Sequence, residues 1–168
     1  MFSGKTTELI GRLDAARRTG ARVIALKPAR DIRYAHDRIA AHTGALFEAV
    51  PIAGAEDILP AVSEADVVGI DEAHFFDLRL VDVCRDLVES GKRVIVAGVD
   101  VDHRGRPFPV FPPLLALADE TFRRTARCAR CGGSAEYSQR LVESDEPIVV
   151  GGAEAYEPRC RFCFRPLA

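Results

Sequence analysis

Two pairs of cysteines, Cys128-Ala-Arg-Cys131 and Cys160-Arg-Phe-Cys163, constrain the last part of this chain more tightly than any other feature of its sequence. Each C-x-x-C turn offers two thiolates, and the two turns, separated by residues 132–159, can close a tetrahedral four-cysteine zinc site. Protein would fill every ligand position, so such a site is structural. Its binding energy would fix the stretch 132–159, which has too little apolar content to hold itself. Two rival uses stay open. A redox pair accounts for one turn but not for both. A zinc ribbon on nucleic acid could draw on Arg123, Arg124, Arg127, Arg130, Arg159, Arg161 and Arg165, although charge runs are usually solvated faces. The fifth cysteine, Cys84, stands alone in an apolar segment.

At 168 residues the chain can bury one core of ordinary size with a small appendage. A hydrophobic fraction of 48% and a formal charge of -2 describe a globular protein without a polycationic signature, so nucleic acid is not the expected partner. No apolar stretch approaches the roughly 20 residues that span a bilayer, and no signal-peptide pattern opens the chain. A cytoplasmic protein with no membrane partner is the expectation.

Apolar spacing predicts a helix over 6–18 with Gly20 as its C-terminal cap, then a buried strand over 22–26. Residues 28–54 are mixed and read mostly as loop, followed by a short helix over 56–62. A strand over 67–70, an amphipathic helix over 78–89 stopped by Gly91, and a strand over 93–99 complete a βαβ alternation, hence a parallel sheet covered by helices. The proline-rich stretch "DVDHRGRPFPVFPPL" cannot be a central strand. A short helix over 114–118, a last strand over 121–126, and β-like runs over 136–139 and 148–150 follow. The chain divides at this level into 1–126 and a metal-stapled subdomain, 127–168.

Ser3-Gly4-Lys5-Thr6 matches the back half of a phosphate-binding loop whose front half would precede Met1. Backbone N–H groups leading into a helix would face an anion, Lys5 would reach the β- and γ-phosphates, and the Thr6 hydroxyl would take a place on Mg²⁺. An ordinary surface Gly-Lys-Thr is the alternative. The strand over 67–70 delivers Asp71 and Glu72 at its C-terminal end, where open parallel sheets bind ligands. Asp71 suits a Mg²⁺-linked role there, and Glu72 that of a general base accepting a hydroxyl proton.

Phe2-Ser3-Gly4-Lys5-Thr6, Asp31-Ile32-Arg33, "IDEAHFF", "GVDVDHRGRPF", the two cysteine turns and "VVGGAEAYEPRCRFC" occur in an order that resembles the zinc-containing, cellular-type thymidine kinase family across essentially the whole chain. The resemblance implies an α/β fold: a RecA-like P-loop domain with a parallel sheet, its first strand missing here, plus a small four-cysteine zinc-binding lasso subdomain. It implies transfer of the ATP γ-phosphate to the 5′-hydroxyl of thymidine or deoxyuridine, with Glu72 as catalytic base. Met1, Phe2, Ser3, Gly4, Lys5, Thr6, Thr7, Asp31, Arg33, Asp71 and His74 would contact nucleotide and phosphate, with Thr6 and Asp71 on Mg²⁺. Phe75, His103, Phe108, Ser138, Pro147, Ile148, Val149, Val150, Gly151 and Tyr156 would surround the nucleoside. Cys128, Cys131, Cys160 and Cys163 would hold Zn²⁺. A homotetramer with feedback by the triphosphate end product is implied as well.

The sequence departs from the family pattern in three places. Gln is usual where His74 stands, and Phe where His103 stands. The strand and Gly-Pro that usually precede "MFSGKT" are absent, so that strands 22–26 and 67–70 would flank a gap. Met1 then reads as an internal methionine of the loop. An inactive or truncated relative, or a P-loop ATPase with a zinc ribbon on nucleic acid, are the other readings.

Overall fold

Leu9, Ile10, Leu13 and Ala16 fall on one side of a 3.6-residue repeat, and the chain forms helix α1 (Lys5–Arg18) with these side chains buried. Gly20, at φ 89°, closes it, while the N–H groups of Thr19 and Gly20 donate to the carbonyls of Ala16 and Arg17. The computed structural model describes residues 2–31, 37–41 and 44–166; Met1 and Arg33, assigned above to the nucleotide, lie outside these.

Beyond α1 the chain runs through β1 (Val23–Pro28), β2 (Arg38–Ala40), β3 (Leu46–Glu48), β4 (Val50–Ile52), α2 (Ile58–Ala61) and β5 (Val67–Ile70). It continues through α3 (Arg79–Glu89), β6 (Arg93–Val96) and α4 (Phe111–Leu117). The main sheet has the order β4-β1-β5-β6 with every pairing parallel, as the alternation of strands and helices predicts. Successive side chains of a strand point to opposite faces, and here they serve two separate cores. Ala25 and Val67 pack toward α1 and the β2–β3 hairpin, whereas Leu26, Val68 and Ile70 pack toward α2, α3 and α4. Each fully buried Leu or Ile in these layers contributes roughly 1.5–3 kcal/mol.

Gly69 brings α1 onto the sheet. A Cβ at this position would lie 2.7 Å from Cδ1 of Leu13, so only glycine lets the helix approach so closely. The consequence is functional. The N-terminal end of α1 comes to the C-terminal end of β5.

The structure corrects several expectations. Strands 22–26 and 67–70 flank no gap: β1 and β5 are hydrogen-bonded neighbours in the register Val23↔Val67 to Leu26↔Ile70. Among the described residues the outer edges of β4 and β6 have no ladder partner. The stretch 28–54 contains β2, β3 and β4, strands too short to show an alternating pattern. β6 ends at Val96, although the Ala97 N–H still donates to the Ile70 carbonyl and the Ala97 carbonyl accepts the Ala73 N–H. No strand forms over 121–125, which is exposed and outside any ladder; only Ala126–Arg127, β7, pairs, and its partner is β8 (Ser134–Ala135) beside the first cysteine turn. Residues 148–150 form no strand either. β9 (Tyr137–Arg140) pairs instead with β10 (Tyr156–Arg159), which leaves 141–155 as an irregular strap between them. α4 starts earlier than expected, because Pro112 and Pro113 fit a first turn, where a missing N–H costs nothing.

Candidate active site

Gly4, at φ 78°, turns the chain into α1 so that Lys5 is its first residue. Across from it, β5 ends in Asp71 and Glu72, both buried. Thr6 Oγ1 donates to Asp71 Oδ2 at 3.1 Å, and Asp71 Oδ1 accepts the N–H of Glu72 at 2.9 Å. Glu72 itself sits at φ 50° and ψ 44°, a left-handed conformation that costs a non-glycine residue about 1–3 kcal/mol. This kink returns its side chain toward α1, where Oε1 lies 2.7 Å from Lys5 Nζ. Burial, and then the adjacent charge of Glu72, push the Asp71 carboxyl up to about 6, while Lys5, the Glu72 N–H and Thr6 pull the other way.

Glu72 lies in the wall of an apolar pocket enclosing about 460 Å³ with its open mouth. His74, Phe75, His103, Phe108, Ser138, Tyr156 and the strap residues Pro147, Ile148, Val149, Val150 and Gly151 line it with Glu72. The structure thus brings the residues given above to the nucleoside into one cavity. Val99, Val101 and Asp102 line it too and were not foreseen, since nothing in their residue types distinguishes them from ordinary loop positions. His74 Nδ1 accepts the Val99 N–H at 3.4 Å and lies 3.4 Å from Glu72 Oε2, with its ring 5.1 Å from that of Phe108. For His103, burial first and the Arg140 charge second lower the pKa from its usual value, so the imidazole is neutral at pH 7.

Other expected nucleotide residues stand outside this cavity. Asp31 is buried just past the end of β1, Thr7 is half-buried in the first turn of α1, and Phe2 and Ser3 precede that helix, half-buried. Ser3 and Lys5 line a separate polar recess with Arg124, which the sequence reading did not place near the loop. Arg124 Nε donates to the Ser3 carbonyl at 3.1 Å and its Nη1 lies 2.9 Å from Glu8.

The cysteine turns do converge. One ligand atom from each of Cys128, Cys131, Cys160 and Cys163 lies within 4.8 Å of all the others, and the Cys131 and Cys160 sulfurs are 3.6 Å apart. A tetrahedron with Zn–S bonds of about 2.3 Å has sulfurs roughly 3.8 Å apart, so the cluster fits a metal ion held by four thiolates. Gly132, at φ 73°, turns the first knuckle, and the guanidinium of Arg159 donates to the Cys163 carbonyl in the second. The ring of Phe164, next to Cys163, stacks on Tyr137 with centroids 4.5 Å apart. A Cβ on Gly105 would lie 3.3 Å from Tyr137 and 3.4 Å from Phe164. The knuckle therefore braces the loop that carries Asp102 and His103 into the pocket.

The thymidine kinase family matches residues 1–164. The chain belongs to that family. Among its relatives, a thymidine kinase of Rhodothermus sp. (strain ITI 518) is 48% identical over 166 residues, covering 99% of this chain and 78% of the relative. Thymidine kinases of Bacteroides thetaiotaomicron and Coprothermobacter proteolyticus are 46% and 49% identical, covering 98% and 95% of this chain and 82% and 84% of their own lengths. No described helix is long and apolar enough to cross a membrane.

Proposed function

We propose that this chain is a thymidine kinase that transfers the γ-phosphate of ATP to the 5′-hydroxyl of thymidine, with deoxyuridine as a second acceptor. The 2.7 Å contact between Lys5 and Glu72 carries the reading. It brings a cation at the start of the phosphate-binding helix within one hydrogen bond of a carboxylate in the wall of the pocket. Phosphoryl transfer asks mainly for positioning and charge stabilisation.

The nucleoside enters with its base under the strap and its 5′-oxygen toward Glu72. Phe75 and Phe108 give its base apolar walls, Ser138 offers a hydroxyl, and strap backbone groups read the base edge. Backbone N–H groups of residues 4–7 and the α1 dipole receive the donor phosphates, and Lys5 turns from Glu72 to the β- and γ-oxygens. Glu72 then accepts the hydroxyl proton as the 5′-oxygen bonds to the γ-phosphorus. The bond from that phosphorus to the bridging oxygen breaks, and its electron pair leaves with ADP. Thr6 and Asp71 are the residues that would hold Mg²⁺, which neutralises phosphate charge when bound. Cys128, Cys131, Cys160 and Cys163 would hold Zn²⁺, which contributes folding energy to the subdomain 127–168. Residues 1–126 form the P-loop domain, and the family resemblance extends the reading to a cytoplasmic homotetramer.

Measuring ADP release with ATP, Mg²⁺ and a nucleoside panel tests this reading. Thymidine-dependent turnover that Glu72→Gln abolishes supports it. DNA-stimulated hydrolysis indifferent to nucleoside would overturn it.

A further inference from the structure

Arg140 ends β9 and is 3% exposed, yet among the described residues no carboxylate pairs with it. Its guanidinium is spent on backbone instead. Nη1 donates to the Ser144 carbonyl at 3.0 Å, and Nη2 donates to those of Glu146 and Pro147 at 2.9 and 3.1 Å. Nε is buried with no hydrogen-bond partner among the described residues. A buried cation without a counter-ion is unfavourable unless several dipoles converge on it, and irregular backbone needs donors for its carbonyls. Each requirement answers the other here, because the strap 141–155 makes no sheet ladder of its own.

The Tyr156 hydroxyl also reaches the strap, donating to the Val149 carbonyl at 3.0 Å. Arg140 thus fixes the approach, residues 144–147, and Tyr156 fixes the middle. The segment held between and just beyond these ties, Pro147 to Gly151, lines the pocket. Lysine could not replace the fork, since three carbonyls at two separate nitrogens need a planar, rigid donor set.

We propose that Arg140 is a positioning residue for the acceptor nucleoside: its fork templates residues 144–147 and so sets the strap against the bound base. The proposal rests on the nucleoside-kinase reading only for its kinetic consequence. A second effect follows from charge. Arg140, Arg104 and Arg106 disfavour protonation of His103 and Asp102 favours it. Glu72, His74 and Tyr156 share the pocket with that imidazole. Removing the Arg140 charge moves His103 back toward its ordinary range.

The test compares Arg140→Met and Arg140→Lys with the unaltered full chain. Thymidine KM is expected to rise about tenfold or more in both variants while kcat changes less than about threefold, the signature of lost uniform binding. Cleavage by a glutamate-specific protease after Glu143 in the ligand-free protein is expected to accelerate by a similar factor, with zinc content unchanged. Arg140→Met alone should move the His103 inflection in the thymidine KM profile to higher pH, because Arg140→Lys keeps the charge. Thymidine KM and cleavage both within about twofold of the unaltered chain would overturn the proposal, as would an equal rise in the KM for ATP accompanied by zinc loss. Should Arg140→Met fail to fold, Arg140→Lys carries both the kinetic and the cleavage comparison. If the unaltered chain does not phosphorylate thymidine, the kinase reading falls, and the protease comparison still decides the role of Arg140.

Discussion

The Lys5 ammonium lies 2.7 Å from Oε1 of Glu72, a partly buried ion pair joining the first residue of α1 to the residue that follows Asp71 just past the end of β5. Neither partner can keep this contact and also serve in transfer, since phosphate oxygens call for the cation and the acceptor hydroxyl calls for the carboxylate. In the proposed mechanism, donor binding therefore releases Glu72 to act as the base. Glu72→Gln is expected to lower thymidine-dependent ADP release by about 10²–10⁴-fold, the usual range for a lost general base. Affinity for Mg²⁺·ATP should hold or tighten, because Lys5 no longer has a carboxylate to leave. Steady-state kinetics with calorimetric nucleotide titration checks both, and turnover above about a tenth of the original would contradict the assignment.

Asp71 gives a pH dependence with a definite sign. Its carboxyl is pushed up to about 6, above the roughly 3.9 of a free aspartate. Between these values the folded chain keeps a proton that the unfolded chain has released. This group's contribution to stability is thus full at the acid end and is lost as pH rises through 6. A divalent cation beside Asp71 favours the carboxylate and must expel that proton. The apparent Kd for Mg²⁺·ATP is expected to rise by up to about tenfold per pH unit below 6 and to level off above 7. Calorimetry across pH 5–8 reads this directly. Asp71→Asn should bind weakly with no such slope, and a flat profile in the unaltered chain would remove Asp71 from the cation site.

Much of this arrangement was legible in the sequence, and the limits have physical causes. Leu9, Ile10, Leu13 and Ala16 announce α1 because one face of a helix repeats every 3.6 residues, and the cysteine turns announce their cluster because ligand spacing is local. Thr121–Ala126 reads as a strand from its residue types, yet no ladder forms over 121–125, since pairing depends on a neighbour that local pattern cannot report. The same limit hid the partner of β9. The apolar run Ile148–Val150 serves the pocket instead of the sheet, and Tyr156–Arg159 takes the ladder. Arg140 was invisible for a different reason: a guanidinium that binds backbone carbonyls leaves no signature in side-chain identity.

Thiol chemistry separates the cysteine cluster from the lone cysteine. Burial pushes Cys84 up to about 12, so it stays protonated and unreactive at neutral pH. A chromogenic disulfide reagent is expected to find little reactive thiol in the zinc-loaded chain, then four thiols after chelation, with Cys84 reacting only on denaturation. Chelation should also raise the thymidine KM, because the knuckle at Cys163 braces Tyr137 and the loop of His103 through Phe164. Cys128→Ser should reproduce that loss. Unaltered thymidine affinity in a metal-free chain would separate the cluster from the pocket.

Two glycines facing opposite environments test how the helix and strand hold the site together. Gly69 on β5 meets Leu13 of α1, where an added Cβ would lie 2.7 Å from one methyl and 2.8 Å from the other. Leu13 is fully buried and has little room to yield, so Gly69→Ala should wedge α1 off the sheet and destabilise by about 1–3 kcal/mol, as overpacking does. The displacement would also separate Lys5 from Glu72 and Thr6 from Asp71, so kcat should fall beyond what the unfolded fraction explains. Gly11 lies on the exposed side of the same helix with nothing within 4 Å of an added Cβ. Gly11→Ala should stabilise by about 0.5–1 kcal/mol through helix propensity and leave kcat unchanged. Denaturant titration with steady-state kinetics on both variants decides the matter: equal activity in the two would show that the approach of α1 to β5 does not set the geometry of the site.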